Sequence, residues 1–269
     1  MIVRAPPTIE GVLFATPAFR ECRVRFPDER LVVETPFREL LWGNPDVTDV
    51  DVFFEPLSLE GIVRLDMVDV KRDLHLIDAY AKMILGDDRL ACRRLELVPD
   101  KDQEADAARI RSRMGEKVAV LGLPIDNFAA GCAEDVGKGL QHMGYDVMPV
   151  GGRPVGGWGS LKASIELADV FVGTDMTPEA AIAATTETPM VIAYSWRSPA
   201  MTKPFRRGVP FVAVTAEKVC DASPFCLSNY ARGEFCYIYY VKCVNPQLMA
   251  CEAAVTAERL LRAVRKVIP

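Results

Sequence analysis

At 269 residues the chain can form one large domain or two modest ones, and its 50% hydrophobic and 26% charged residues suit a soluble globular enzyme. A formal net charge of −5 gives no global basic field for holding nucleic acid or an acidic membrane. No run approaches the roughly 18 apolar residues of a membrane helix, and the first residues turn to proline after one short strand, unlike a secretory signal. The expected location is cytoplasmic, with peripheral attachment at the inner membrane face as the alternative.

In chain order, residues 2–5 read as a strand. Residues 12–26 carry helical periodicity through Val12, Leu13, Phe19, Cys22 and Phe26, with Pro17 predicting a kink or a restart capped by Thr16. A strand at 31–34, a short helix at 37–42 and strands at 50–54 and 63–67 follow. A helix over 74–85 buries Leu74, Ile77, Ala81 and Ile84 at three-to-four spacing. Residues 98–116, bounded by Pro99 and Gly115, are highly charged and read as a solvated helix joining two halves.

A second alternation begins there: strand 117–123, helix 132–143, strand 145–150, helix 160–168, strand 169–173, helix 177–185 and strand 189–195. A strand at 209–214 and a helix at 255–267 complete it. Alternation of this kind predicts α/β architecture: two Rossmann-like, doubly wound parallel-sheet domains facing a cleft, at 1–105 and 106–269. In the second, the apolar run Val170 to Val172 stops at Gly173-Thr174-Asp175. Thr177 and Pro178 then read as the N-cap and first residue of an Ala-rich helix. A helix start at the carboxyl end of a parallel strand favours anions, so a phosphorylated ligand is expected there.

Eight cysteines are the compositional oddity. Cys220, Cys226, Cys236 and Cys243 crowd into 24 residues, with five, nine and six residues between them. That is not a zinc pattern, so reduced structural thiols are expected ahead of a metal site or a bridged pair.

Several motifs occur in an order that resembles glycosyltransferase family 9, the ADP-heptose:lipopolysaccharide heptosyltransferase group. They are Arg4, Ala15-Thr16-Pro17-Ala18, Arg25-Phe26-Pro27-Asp28, Gly43-Asn44-Pro45-Asp46, the stretch from Leu161 to Pro189, and the Cys220, Ser223, Pro224 and Cys226 patch. The chain looks like a shortened and divergent member. The resemblance implies a GT-B fold and an inverting sugar transfer from a nucleotide-diphosphate sugar to an acceptor hydroxyl. The acceptor would occupy the N-terminal domain and the donor the C-terminal one, with neither cofactor nor metal required.

The family's base is the Asp of a Leu-Gly-Asp triplet. Here the matching stretch is Thr8-Ile9-Glu10-Gly11, with acid and glycine transposed, so Glu10 is the implied base. Arg4, Thr8, Asp66 and His75 fall on the acceptor side; Asp69 and Asp73 are further acids, and His75 reads first as a helix cap and second as a base. On the donor side the family's diphosphate Lys is absent from the segment holding Gly122 and Asn127. The Gly-Pro-x-His segment has become Thr177-Pro178-Glu179-Ala180, losing the imidazole and placing Glu179 in the first turn.

Two features could compensate. Gly151, Gly152 and Arg153 lie in a loop with five glycines that allows close approach to phosphate. Tyr194, Trp196 and Arg197, at the end of the strand after the phosphate helix, could stack a base and pair with phosphate. Asp175 remains beside them. Arg259, Arg262, Arg265 and Lys266 form a basic stripe on the last helix that reads as a solvated face, or with Lys203, Arg206 and Arg207 as a hold for an anionic acceptor. A glycan or lipopolysaccharide-type acceptor is expected, with a hydroxymethylated DNA base and a non-catalytic binding or assembly protein as alternatives. Donor sugar, base and oligomeric state stay open.

Overall fold

The computed structural model describes residues 1–52, 61–65, 74–123, 132–152, 154–175, 177–194, 199–215 and 255–268. Among them, two wholly parallel sheets form. The first orders β1 (Ile2–Arg4), β2 (Val32–Glu34), β3 (Asp49–Asp51) and β4 (Ile62–Arg64) as β3-β2-β1-β4. The second orders β5 (Val118–Gly122), β6 (Asp146–Pro149), β7 (Val170–Thr174), β8 (Met190–Tyr194) and β9 (Phe211–Thr215) as β6-β5-β7-β8-β9. The doubly wound α/β reading therefore holds for both halves.

The described helices are α1 (Ile9–Arg25), α2 (Leu76–Leu85), α3 (Lys101–Arg111), α4 (Cys132–His142), α5 (Gly157–Glu166), α6 (Pro178–Ala183), α7 (Pro199–Thr202) and α8 (Ala257–Val267). The short helix expected at 37–42 is a single 3₁₀ turn, Arg38–Leu40. Helix α1 neither stops nor restarts at Pro17. A proline there leaves the carbonyl four residues back without its usual N–H. That carbonyl, Leu13 O, instead accepts the Thr16 hydroxyl at 2.8 Å. Thr16 Oγ1 in turn accepts the Glu96 N–H at 3.0 Å, tying the helix to the chain beyond α2.

The charged helix α3 is not a free solvated rod. Asp100 caps it in a reciprocal capping box with Gln103. Gln103 also packs over Gly159 of α5, where a Cβ would collide with it. Ala107 is buried, and Arg111 donates to Leu167 O at 3.0 Å, Gly115 O at 2.6 Å and Glu116 O at 2.7 Å. The helix is thereby docked on the second half.

Alternation along the second sheet feeds two apolar clusters. Ala119, Leu121, Val170, Val172, Val191 and Ala193 face α4 and α8. Val120, Phe171, Met190, Ile192 and Tyr194 face the opposite way, into a cluster that continues through α5 and α6 to α1, Val3 and Val33 of the first half. The two halves are joined by this continuous core, with α1 packed on α6.

Candidate active site

In open parallel sheets the ligand crevice opens past the carboxyl ends of the strands where strand order reverses. The reversals lie between β1 and β4 in the first sheet and between β5 and β7 in the second. Phe14 of α1, the helix that follows β1, and Asp175, which follows β7, line one small pocket with room for about one water molecule. Its remaining walls come mainly from α6, β8 and the segment after α7, through residues such as Ala181, Ile192, Tyr194 and Pro204.

On the first side, Arg4 ends β1 and is 2% exposed. It stands in register with Glu34 on β2 and Arg64 on β4, and Glu34 with Asp51 on β3, giving a charged row on one sheet face. Its Nε and Nη2 donate to Glu34 Oε2 at 2.9 and 2.8 Å, so part of its fork is committed within the protein. Sequence reasoning missed Glu34, although its place at the end of a neighbouring parallel strand was a usable signal. Thr8 caps α1, its Oγ1 accepting the Gly11 N–H at 3.1 Å. Glu10 is buried in the first turn, where the helix dipole favours a carboxylate. The transposed glycine has a local reason: a Cβ on Gly11 would come within 2.5 Å of Pro6 Cβ.

His75 is buried and caps α2, its Nδ1 accepting the Ile77 N–H at 3.2 Å while Nε2 lies 3.0 Å from Lys203 O. Burial lowers its pKa below the usual histidine value. It is a cap and a contact between the halves rather than an exposed base.

On the second side, Gly122 and Gly173 are register partners at the ends of β5 and β7. The Phe171 ring lies against both, and a Cβ on Gly122 would come within 2.8 Å of it. Packing alone therefore accounts for glycine at 122. Thr177 caps α6, accepting the Ala180 N–H at 3.2 Å while donating to Thr174 O at 3.1 Å, and Pro178 is the first helical residue.

The phosphate expectation meets an internal rival at α6. Glu179 is 6% exposed, and its burial raises its pKa, an effect partly offset by backbone N–H groups including its own and that of Gly152. A carboxylate thus stands where an incoming phosphate was expected, and α6 is only six residues long. Gly151 and Gly152 are exposed, and Gly152 takes a positive φ of 70° with open space around it.

Tyr194 corrects the sequence reading. It lines the small pocket, but as the last residue of a central strand and 1% exposed it has no open ring face on which to stack a base. Burial pushes its phenol pKa up. Asp175, 9% exposed, lines the cavity beside it. Asp66, Asn127, Arg153, Trp196, Arg197 and the cysteines at 220, 226, 236 and 243 lie outside the described residues. Among the described residues no group of three or more His, Cys, Asp or Glu is placed to hold a metal ion, and no helix is long and apolar enough to cross a membrane. The basic stripe on α8 is partly engaged: Arg259 donates to Thr215 O at 2.8 Å and Arg262 to Glu258 at 2.6 Å.

No protein-family model and no curated protein sequence matches the chain. Solved structures do. A glycosyl transferase family 9 protein from Veillonella parvula aligns with a TM-score of 0.69 and 13% identity, over 99% of this chain and 96% of that one. The fold is that of a family 9 glycosyltransferase. The ADP-heptose LPS heptosyltransferase II of E. coli aligns at 0.66 and 12% identity, over 99% and 97% of the two chains. The dodecameric, iron-containing heptosyltransferase TibC, solved with ADP-D-β-D-heptose, aligns at 0.67 and 16% identity, over 99% and 75%. Within this family 9 fold, Glu10 and Asp175 follow the two central strands, β1 and β7, beside the reversals.

Proposed function

We propose that the chain is a metal-independent, inverting glycosyltransferase that moves a sugar from a nucleotide diphosphate to an acceptor hydroxyl of a glycan. The observation that carries this reading is the match of nearly the whole chain to family 9 folds. Glu10 takes the acceptor proton as the acceptor oxygen attacks the anomeric carbon. The bond from that carbon to the diphosphate breaks, and the nucleoside diphosphate leaves with the electron pair. Asp175 and the backbone of Gly151 and Gly152 border the donor; an ADP-sugar is the first donor to test, by analogy with the TibC complex. The acceptor meets the first half near Arg4, Thr8 and Glu10.

Thermal unfolding with ADP, UDP, GDP, CMP and their sugar conjugates tests the donor half of the proposal. A ligand at one hundred times its dissociation constant adds about 2.7 kcal/mol of stability. A raised midpoint with a nucleoside diphosphate supports the reading, and no shift with any of them sinks it. For an active donor, Glu10→Ala is expected to cut transfer by about 10²–10⁴-fold while leaving the midpoint shift intact. Glu179 favours a second reading, a non-catalytic relative that binds nucleotide or a partner without transfer. Binding without transfer or hydrolysis by the unaltered chain would select it.

A further inference from the structure

Among the buried threonines of the described residues, Thr202 stands apart. Thr16, Thr185 and Thr186 each donate to the carbonyl three residues back. Thr188 donates to Ile165 O at 2.6 Å, Thr174 to Ala193 O at 3.3 Å, and Thr35 accepts the Phe37 N–H at 3.1 Å. The Thr202 hydroxyl is equally buried but has no partner in the protein. It does not take the local remedy of the others. Helix α7 is only four residues long, and the carbonyl three residues back, Pro199 O, already accepts the Lys203 N–H at 2.8 Å.

A buried hydroxyl without a protein partner turns to ordered water where the site is polar and roomy enough. Thr202 lines the small pocket beside Asp175 and Tyr194, which has room for about one water molecule. The other walls, among them Phe14, Ala181, Ile192 and Pro204, present apolar side chains. A water there meets three polar side chains, within the roughly two to four contacts that a buried water makes. A carboxylate has about four lone-pair sites, so Asp175 can accept from the water and keep its other contacts.

We infer that Thr202 is a positioning residue for Asp175, acting through one ordered water held in this pocket. The water accepts the Thr202 hydroxyl hydrogen and donates to the Asp175 carboxylate, coupling α7 to the residue that follows β7. The Asp175 backbone is already fixed by its N–H to Ala193 O at 3.0 Å, so the water sets the direction of the side chain. The consequence for transfer rests on the proposed function, in which Asp175 borders the donor; the water and the carboxylate orientation need no donor.

Crystal structures of the free full chain, unaltered and as Thr202→Val, test this at a resolution that shows ordered water. The unaltered chain is expected to hold one water about 2.6–3.2 Å from both Thr202 Oγ1 and an Asp175 carboxylate oxygen. No water there, or a water bonded to only one of the two, overturns the inference. Thr202→Val keeps the shape and removes the hydroxyl. It is expected to lose the water and release Asp175 into a second rotamer, and Thr202→Ser to restore both. An Asp175 unmoved in the valine variant would refute the positioning role. Should the valine variant not fold, Thr202→Ala takes its place. For a nucleoside diphosphate that binds, Thr202→Val is expected to weaken binding about three- to tenfold, with serine recovering the original affinity. Equal affinity in all three chains would remove the link to the donor. A chain that binds no nucleotide fails the donor reading instead, and the crystal structures then decide the water and the positioning role alone.

Discussion

The two sheets solve the same problem to different degrees. In the second half β5, β7 and β8 are buried at every residue, because α4 and α8 cover one face and α5, α6 and α1 the other. In the first half no described strand is buried throughout, and one face carries the row Asp51, Glu34, Arg4 and Arg64. A strand buried on both faces must read as a continuous apolar run, as VAVLG, VFVGT and MVIAY do. The first half can keep charges at the ends of its strands because only one face joins the core. The second half supplies rigidity, and the first supplies buried charge beside its reversal point.

The largest test of that contrast is in the sheets themselves. Phe171→Ala, which empties a site touching both Gly122 and Gly173, is expected to cost about 3–5 kcal/mol in urea unfolding. Ile62→Ala on half-buried β4 should cost less than about 2 kcal/mol, and an equal loss would erase the distinction. Next comes Glu34→Ala, which strips Arg4 of two charge-assisted hydrogen bonds and is expected to cost about 1.5–3 kcal/mol. A neutral outcome would show that the row contributes nothing to the fold.

Smaller again, Asp100→Ala removes the cap of α3 and should cost about 1 kcal/mol. Glu179→Gln is expected to have the opposite sign. Burial raises the Glu179 pKa in the folded protein above its ordinary 4.5, so its charged form is the destabilising one. Substitution should raise the urea midpoint at neutral and higher pH, and the gain should vanish toward pH 4.5 as both forms become neutral. A gain that persisted at low pH would mean packing, not charge, is responsible.

Periodicity and punctuation made most elements legible, because each strand or helix is decided by its own ten or so residues. Pro17 shows where local rules stop. Its missing N–H predicts a kink or a restart, but Thr16 satisfies Leu13 O and the helix runs on without restarting. Helix α3 looked solvated because its one buried position is an alanine, and the partner it docks on, Gly159, is a glycine. The site was harder to read for the same reason. Thr177 and His75 were recognisable as caps from sequence, whereas Arg4–Glu34 and His75–Lys203 join residues 30 and 128 positions apart. Tyr194 was misplaced because strand ends and crevice edges share a sequence pattern, and only its burial tells them apart.

Arg111 has a consequence for how the chain would be cut. By holding the carbonyls of Gly115 and Glu116 as well as Leu167, it pins the turn between α3 and β5 against the second half. A protease must draw extended backbone into its active site, so a peptide held in this way is a poor substrate despite its exposed surface. Trypsin should therefore spare Arg113 and Lys117 in the native protein, and releasing the two halves as separate fragments should first require loss of the Arg111 clamp.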